Sequence, residues 1–306
     1  MSKINATPEY LIIAGTPKSG STYLFNLLAS HPNICPAATK ETHYFLSPEH
    51  PLVNPKQHVQ QGGLSGFASF FDPSSKDRFL LEASVQLFSD ETAPARLQAL
   101  QDLRLLFIFR SPAERVRSSF YFSKNNLALF KKSVSFADFV SCLLQQDRMR
   151  LKSWLHKDVS EKVLLSELDT GNYSRHLARW KAAFRSDQIH IIQYEQLLQF
   201  PNETIATTCR FLDVEVLEHK QFKTADRNAT QSIKAHRFHY LVKSISAKLP
   251  KVMGKTLLKK AYYKLQTKEK VTLSDEDRIA LEQLKAYYEP FNKQLCDLPE
   301  IDLLLW

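Results

Sequence analysis

No stretch of this 306-residue chain approaches the roughly 18 consecutive apolar residues that a membrane-spanning helix needs, so no such span is expected. The opening residues, MSKINATPE, lack the apolar core of a secretory signal, and the expected location is the cytoplasm. Cysteine is sparse: Cys35, Cys142, Cys209 and Cys296 are widely separated, match no metal-ligand spacing and read as buried or idle thiols. Four N-x-[ST] sequons, at Asn5, Asn172, Asn202 and Asn228, matter only in a secretory compartment and read as chance. Acidic residues all but vanish from one segment. Between Lys234 and Lys270, eleven Lys or Arg stand against Glu269 alone, an excess of ten in a chain of net charge +9, so the remainder carries −1. Such a segment suits an anionic ligand, an anionic lipid surface or nucleic acid, or else forms a solvated helix face.

What is present points to an α/β chain with a sizeable core, since 43% of the residues are apolar and 24% are charged. The stretch Tyr10 to Ser30, YLIIAGTPKSGSTYLFNLLAS, reads as a buried strand, a tight loop and a helix with Leu24, Leu27 and Leu28 on one face. That succession aims backbone N–H groups and the positive end of a helix dipole at an anion. Gly15 and Gly20 have the Walker A spacing, yet Ser21 follows the second glycine and the lysine is Lys18, inside the loop. The displaced ammonium argues against a triphosphate. The hydroxyls of Ser19, Ser21 and Thr22 complete the set, and no residue of the loop looks like a dedicated magnesium ligand.

TPKSGSTYL resembles the 5′-phosphosulfate loop of the sulfotransferases that use 3′-phosphoadenosine 5′-phosphosulfate (PAPS). The resemblance implies a P-loop-like central parallel sheet flanked by helices, in a single domain. Its nucleotide core would span about 8–235 and a basic helical part about 236–306. It implies PAPS as co-substrate, PAP as product and no metal. Loop contacts to the donor would come from Lys18, Ser19, Gly20, Ser21, Thr22 and Tyr23.

Further elements extend the resemblance. KETHYF, Lys40 to Phe45, is similar to the element of heparan sulfate sulfotransferases and their bacterial relatives that brings a glutamate beside the sulfate. A hydroxyl is a weak nucleophile at neutral pH, so a carboxylate within reach serves as general base. Glu41 takes that role by resemblance, Lys18 that of the catalytic cation, and His43 that of an assistant or acceptor-orienting group. LRLLFIF, Leu103 to Phe109, is a strong buried-strand signal running into Arg110-Ser111-Pro112 and a helix with Arg115, Arg117 and Ser118. In the family, an Arg at such a strand end and a Ser eight residues later bind the 3′-phosphate, which implies Arg110 and Ser118. The segment Arg227 to Arg237 matches the position of the loop closing over the nucleotide. It offers Lys234 but lacks the family's glycine.

Other strands are expected at Arg78 to Ala83, with Glu82 at its end, and at Gln188 to Tyr194. Residues 46–78, interrupted by prolines and glycines, read as an irregular rim of the acceptor cleft. Tyr173, Leu177, Trp180 and Phe184 form a core-facing helix stripe, and Tyr173 also matches a G-x-Y element near the nucleotide. Ser274 to Leu295 reads as an amphipathic helix capped by Ser274.

The resemblance leads to sulfuryl transfer onto a carbohydrate hydroxyl, of a polysaccharide or glycolipid, by in-line displacement. Ala83 stands where heparan sulfate enzymes often carry lysine, which weighs against a heparan-type acceptor. A small alcohol or polyketide is the second acceptor class; a P-loop kinase and a catalytically silent nucleotide-binding protein are the other readings. Partners are a hydroxyl-bearing, anionic saccharide and, through 234–270, the inner membrane face, with no nucleic acid expected.

Overall fold

Runs of β-branched and aromatic residues bounded by turn formers build the strands of this protein, and their alternation divides the core. The computed structural model describes residues 8–156, 161–216 and 273–306. In chain order these form β1 (Glu9–Gly15), α1 (Ser21–Leu28), β2 (Ile34–Pro36), α2 (Val59–Ala68), β3 (Phe79–Glu82), α3 (Ala93–Leu97), β4 (Leu103–Phe109) and α4 (Pro112–Tyr121). There follow α5 (Phe136–Leu144), α6 (Arg148–Trp154), α7 (Glu161–Leu165), α8 (Glu167–Thr170) and α9 (Tyr173–Ala183). Last come β5 (Ile189–Gln193), α10 (Tyr194–Gln199), α11 (Pro201–Leu212) and α12 (Asp275–Asn292).

All five strands join one parallel sheet of order β2-β3-β1-β4-β5, the P-loop-like α/β architecture implied by the sequence. Alternate residues of the central strands face opposite layers. Ile12 and Ala14 of β1, with Leu105, Phe107 and Phe109 of β4, pack against Tyr173, Leu177, Trp180 and Phe184 of the α9 stripe. Leu11, Ile13, Leu106 and Ile108 face the other way, onto Leu24, Leu27 and Leu28 of α1 and Ile205, Cys209 and Leu212 of α11. A parallel sheet covered on both faces needs near-continuous apolar strands, which is why β4 reads LRLLFIF.

By their contacts the described residues fall into two compact units. One comprises 8–115, 169–216 and 288–306 and holds the sheet; the other comprises 116–156, 161–168 and 273–287. The second unit is built on aromatic packing, with Phe120 stacked on Phe139 at 5.2 Å and Phe130 edge-on to Phe139 at 5.5 Å. Its α5 begins at a capping box of Ser135 and Asp138. Ser274 accepts from the Asp277 amide at 3.1 Å, as its capping role requires.

One expectation changes. Residues 46–78 are not irregular throughout, because α2 lies within them, kinked at Gly63. Its glycines are packing residues: a Cβ at Gly62 or Gly66 would strike the Tyr44 hydroxyl, which donates to the Gly63 carbonyl at 2.9 Å. Sequence periodicity could not reveal a helix whose small residues serve a distant tyrosine. The thiols divide: Cys35, Cys142 and Cys209 are buried, whereas Cys296 is exposed. Among the described residues, no helix is long and apolar enough to cross a membrane.

His190 on β5 stacks on Phe211 at 5.0 Å, and its Nε2 lies 3.3 Å from the Thr208 hydroxyl. Burial pushes its pKa down from 6.5 to about 4. The fold thus holds the neutral ring, so its contribution is full above pH 6.5 and is lost as the pH falls toward 4, approaching about 3 kcal/mol. The melting temperature of the native protein should fall more steeply over that window than that of His190→Gln; parallel curves would exclude His190 as the cause.

Candidate active site

Every parallel strand ends at the same edge of the sheet, where the candidate residues of the first unit emerge. The loop after β1 is braced from within. Thr16 donates its N–H to the Ile108 carbonyl at 2.9 Å, and its hydroxyl lies 2.7 Å from that of Ser19. Ser19 is fully buried and belongs to the loop's own scaffold. Lys18 is half-buried with φ 66°. Gly20 caps α1 in the left-handed region (φ 89°), where no side chain caps the helix. The N–H groups of such a first turn lack intrahelical acceptors. Ser21 is buried, and Thr22 and Tyr23 are half-buried on that turn.

Arg110 emerges from β4, next to β1 in the sheet. Its Nη1 donates to the Lys18 carbonyl at 3.3 Å, its Nη2 lies 3.5 Å from Glu114, and its guanidinium sits over the Tyr194 ring at 5.0 Å. The same tyrosine ring closes on Gly20, where an added Cβ would lie 2.6 Å from it. Tyr194, which the sequence marked only as a strand end, therefore packs against both the loop and Arg110. Tyr173 stacks on Phe109 at 4.4 Å and donates its hydroxyl to the Arg110 carbonyl at 2.9 Å, so it is a core residue that also steadies this corner. Glu195 accepts from the Ser111 amide and the Trp306 indole, each at 3.0 Å. Burial raises its pKa against the pull of these bonds and of Arg110. Arg115, charged and near Arg110 in sequence, is fully buried. Ser118 is half-buried on α4, in the second unit.

Lys40 to Tyr44 follow β2. Glu41 is partly exposed: Oε1 meets the Lys40 ammonium at 2.7 Å and Oε2 lies 3.9 Å from His43 Nε2. Lys40 also donates to the Ser21 hydroxyl at 3.3 Å, joining the first turn of α1 to Glu41. Sequence reasoning passed over Lys40, although it adjoins Glu41; only the fold brings Ser21 to it. Burial pushes the His43 pKa down, opposed by Glu41, so the ring is neutral at pH 7. Among the described residues its Nδ1 has no hydrogen-bond partner. Glu82, at the end of β3, is fully buried and accepts from the amides and hydroxyls of Thr42 and Ser84. Lys234, the 227–237 loop and the basic segment 234–270 lie outside the described residues.

Lys40 reaches the first turn of α1 and Arg110 the loop that carries Lys18, with two partly exposed carboxylates, Glu41 beside Lys40 and Glu114 beside Arg110. The arrangement can bind a polyanion and accept a proton next to it. Gly20→Ala should lower stability by about 2–4 kcal/mol in a denaturant titration, through the left-handed φ and the Tyr194 contact. An unchanged midpoint would mean that the loop relaxes freely.

A family model described as the sulfotransferase domain matches residues 8–273. The bifunctional heparan sulfate N-deacetylase/N-sulfotransferase of Drosophila melanogaster is 26% identical over 232 residues, 70% of this chain and 20% of that protein. Heparan sulfate glucosamine 3-O-sulfotransferase 3B1 of Mus musculus is 24% identical over 291 residues, 94% of this chain and 62% of that protein. This chain thus spans about a fifth of the first relative and less than two thirds of the second. The crystal structure of a sulfotransferase from Alicyclobacillus acidocaldarius, 19% identical, shares the fold with a TM-score of 0.63 over 98% of this chain and 99% of that one. A family match running from residue 8 to residue 273 means that this chain belongs to the sulfotransferase domain family.

Proposed function

We propose that the protein transfers the sulfuryl group of PAPS to a hydroxyl of a carbohydrate acceptor. The observation that carries this reading is the direct bond from the Arg110 guanidinium to the Lys18 carbonyl, which brings the two candidate anion-binding elements side by side. A donor phosphorylated at both ends of its nucleoside needs two such elements side by side. The first turn of α1 fits a bound anion there, because no side chain caps it and its N–H groups lack intrahelical acceptors.

Lys18 and residues 20–23, with the backbone of Ser19, would hold the 5′-phosphosulfate, and Arg110 the 3′-phosphate. Ser118 and Lys234 join them on the family resemblance alone. Glu41 takes the proton of the acceptor hydroxyl as its oxygen bonds to sulfur and the bond from sulfur to the 5′-phosphate oxygen breaks. Lys18, Lys40 and the N-terminus of α1 stabilise the negative charge gained by the leaving phosphate. His43, held neutral by burial, orients the acceptor hydroxyl. A saccharide acceptor is supported by the KETHYF element and by the names of the heparan sulfate relatives, and 234–270 suits an anionic chain.

The deciding experiment is incubation with labelled PAPS and a panel of saccharides, small alcohols and polyketides, with products read by mass. A sulfated saccharide is expected; sulfation of small alcohols alone would replace the acceptor class. PAP should raise the melting temperature, whereas stabilisation by ATP with magnesium and not by PAP would favour a kinase. Glu41→Gln is expected to bind PAP nearly as the native protein does while turnover drops by about 10²–10⁴; normal turnover would remove Glu41 from the chemistry. Arg110→Ala should weaken PAP far more than adenosine 5′-phosphosulfate, which lacks the 3′-phosphate. Equal losses would show that Arg110 does not serve that phosphate.

A further inference from the structure

Glu82 is a carboxylate with 1% of its surface exposed, and among the described residues no cation pairs with it. Burial pushes its pKa up, while the hydrogen bonds it accepts oppose that shift. A bare buried charge is a costly device unless it holds something in place. Its partners show what it holds. Oε1 accepts from the Thr42 amide at 2.8 Å, the Thr42 hydroxyl at 3.0 Å and the Ser84 hydroxyl, and Oε2 accepts from the Ser84 amide at 2.9 Å. Each hydroxyl in turn accepts from a loop amide: Ser84 Oγ from His43 at 2.8 Å, and Thr42 Oγ1 from Tyr44 at 3.3 Å. Three successive peptides, 42 to 44, therefore converge on one carboxylate directly or through a single hydroxyl. The turn this requires carries His43 into the left-handed region at φ 55°. On the other side of Glu41, the Lys40 carbonyl accepts from the Ala83 amide at 2.8 Å.

The loop has no regular hydrogen bonding of its own, yet the backbone is fixed on both flanks of Glu41 by the end of β3. The Thr42 amide reaches the carboxylate directly, and the His43 and Tyr44 amides reach it through the Ser84 and Thr42 hydroxyls. We propose that Glu82 is a positioning residue that fixes where Glu41 and His43 present their side chains. It touches neither donor nor acceptor and acts through the loop. The proposal rests on the reading of Glu41 as the base, and it adds a residue whose sequence position, forty residues away, gives no hint of that part.

Two measurements separate this proposal from the reading beneath it. Hydrogen–deuterium exchange needs no donor. Glu82→Ala should speed exchange in peptides covering 40–46 while leaving those covering 16–24 as in the native protein; unchanged exchange at 40–46 would overturn the clamp, whatever reaction the protein performs. In steady-state kinetics, Glu82→Ala should lower kcat by about 10–100-fold with KM for donor and acceptor and PAP affinity within about twofold, as expected when a reacting group is misplaced. Glu82→Gln, which keeps Oε1 as an acceptor, should retain more activity than Glu82→Ala. In a Glu41→Gln background the further loss should be under about twofold, because a positioning residue has nothing left to position. Additive losses, or a parallel fall in PAP affinity, would overturn the assignment. Should the Glu82 variants fail to fold, Thr42→Val and Ser84→Ala each keep the carboxylate and remove one relay, and each should give part of the same kcat loss. Native kcat in both would equally refute it.

Discussion

The parallel pairing of β1 with β4 is the constraint on which the candidate site depends. It sets Gly15 beside Phe107, so that the loop after β1 and the residue after β4 leave the sheet as neighbours. The Thr16 amide continues the pairing one step beyond the strand, and the Arg110 guanidinium closes it onto the Lys18 carbonyl. Both contacts need the two strands in this register, since a one-residue slip would turn every core side chain of β4 to the opposite layer. The burial of both faces enforces the register, and the packing of the sheet thereby determines the geometry of the anion site.

Around that pairing, aromatic rings do the bracing. Tyr194 lies between Gly20 and Arg110, and Tyr173 stacks on Phe109 while bonding the Arg110 carbonyl. Rings that cover large area with few rotatable bonds restrain a loop and an arginine at little entropic cost. The corner at Ser111 is held differently, by Glu195 between an amide and the Trp306 indole. On the opposite side of β1, β3 presents Glu82, and the loop bearing Glu41 is organised by that charge. Arg110 and the loop bearing Glu41 are thus held from the two neighbours of the central strand, and Lys40 links that loop to the first turn of α1.

Membership of the sulfotransferase domain family accounts for the first loop, and the departures are informative in their own right. Lys18 stands inside the loop and the Lys40 ammonium reaches Ser21 on the first turn of α1, whereas a nucleoside triphosphatase would carry one lysine after the second glycine. Ala83, which follows Glu82, carries no charge. The local balance of charge around Glu41 therefore rests on Lys40 and on the neutral His43.

The sequence by itself determined the strand–loop–helix of Tyr10 to Ser30, the buried run of β4 and the α9 stripe. Each is a local pattern: a period of side chains, or a glycine where the backbone must turn. It also marked Lys18 by its place inside the loop, and Glu41, His43 and Arg110 through the family resemblance of their local segments. The helix within residues 46–78 escaped it, because Gly62 and Gly66 lower local helix propensity in order to admit Tyr44. Lys40 against Ser21, Tyr194 between Gly20 and Arg110, and the bonds of Glu82 to the loop of Glu41 were decided only by the tertiary structure. Each joins residues from separate strand ends, and strand order, which no local pattern encodes, selects which strand ends become neighbours.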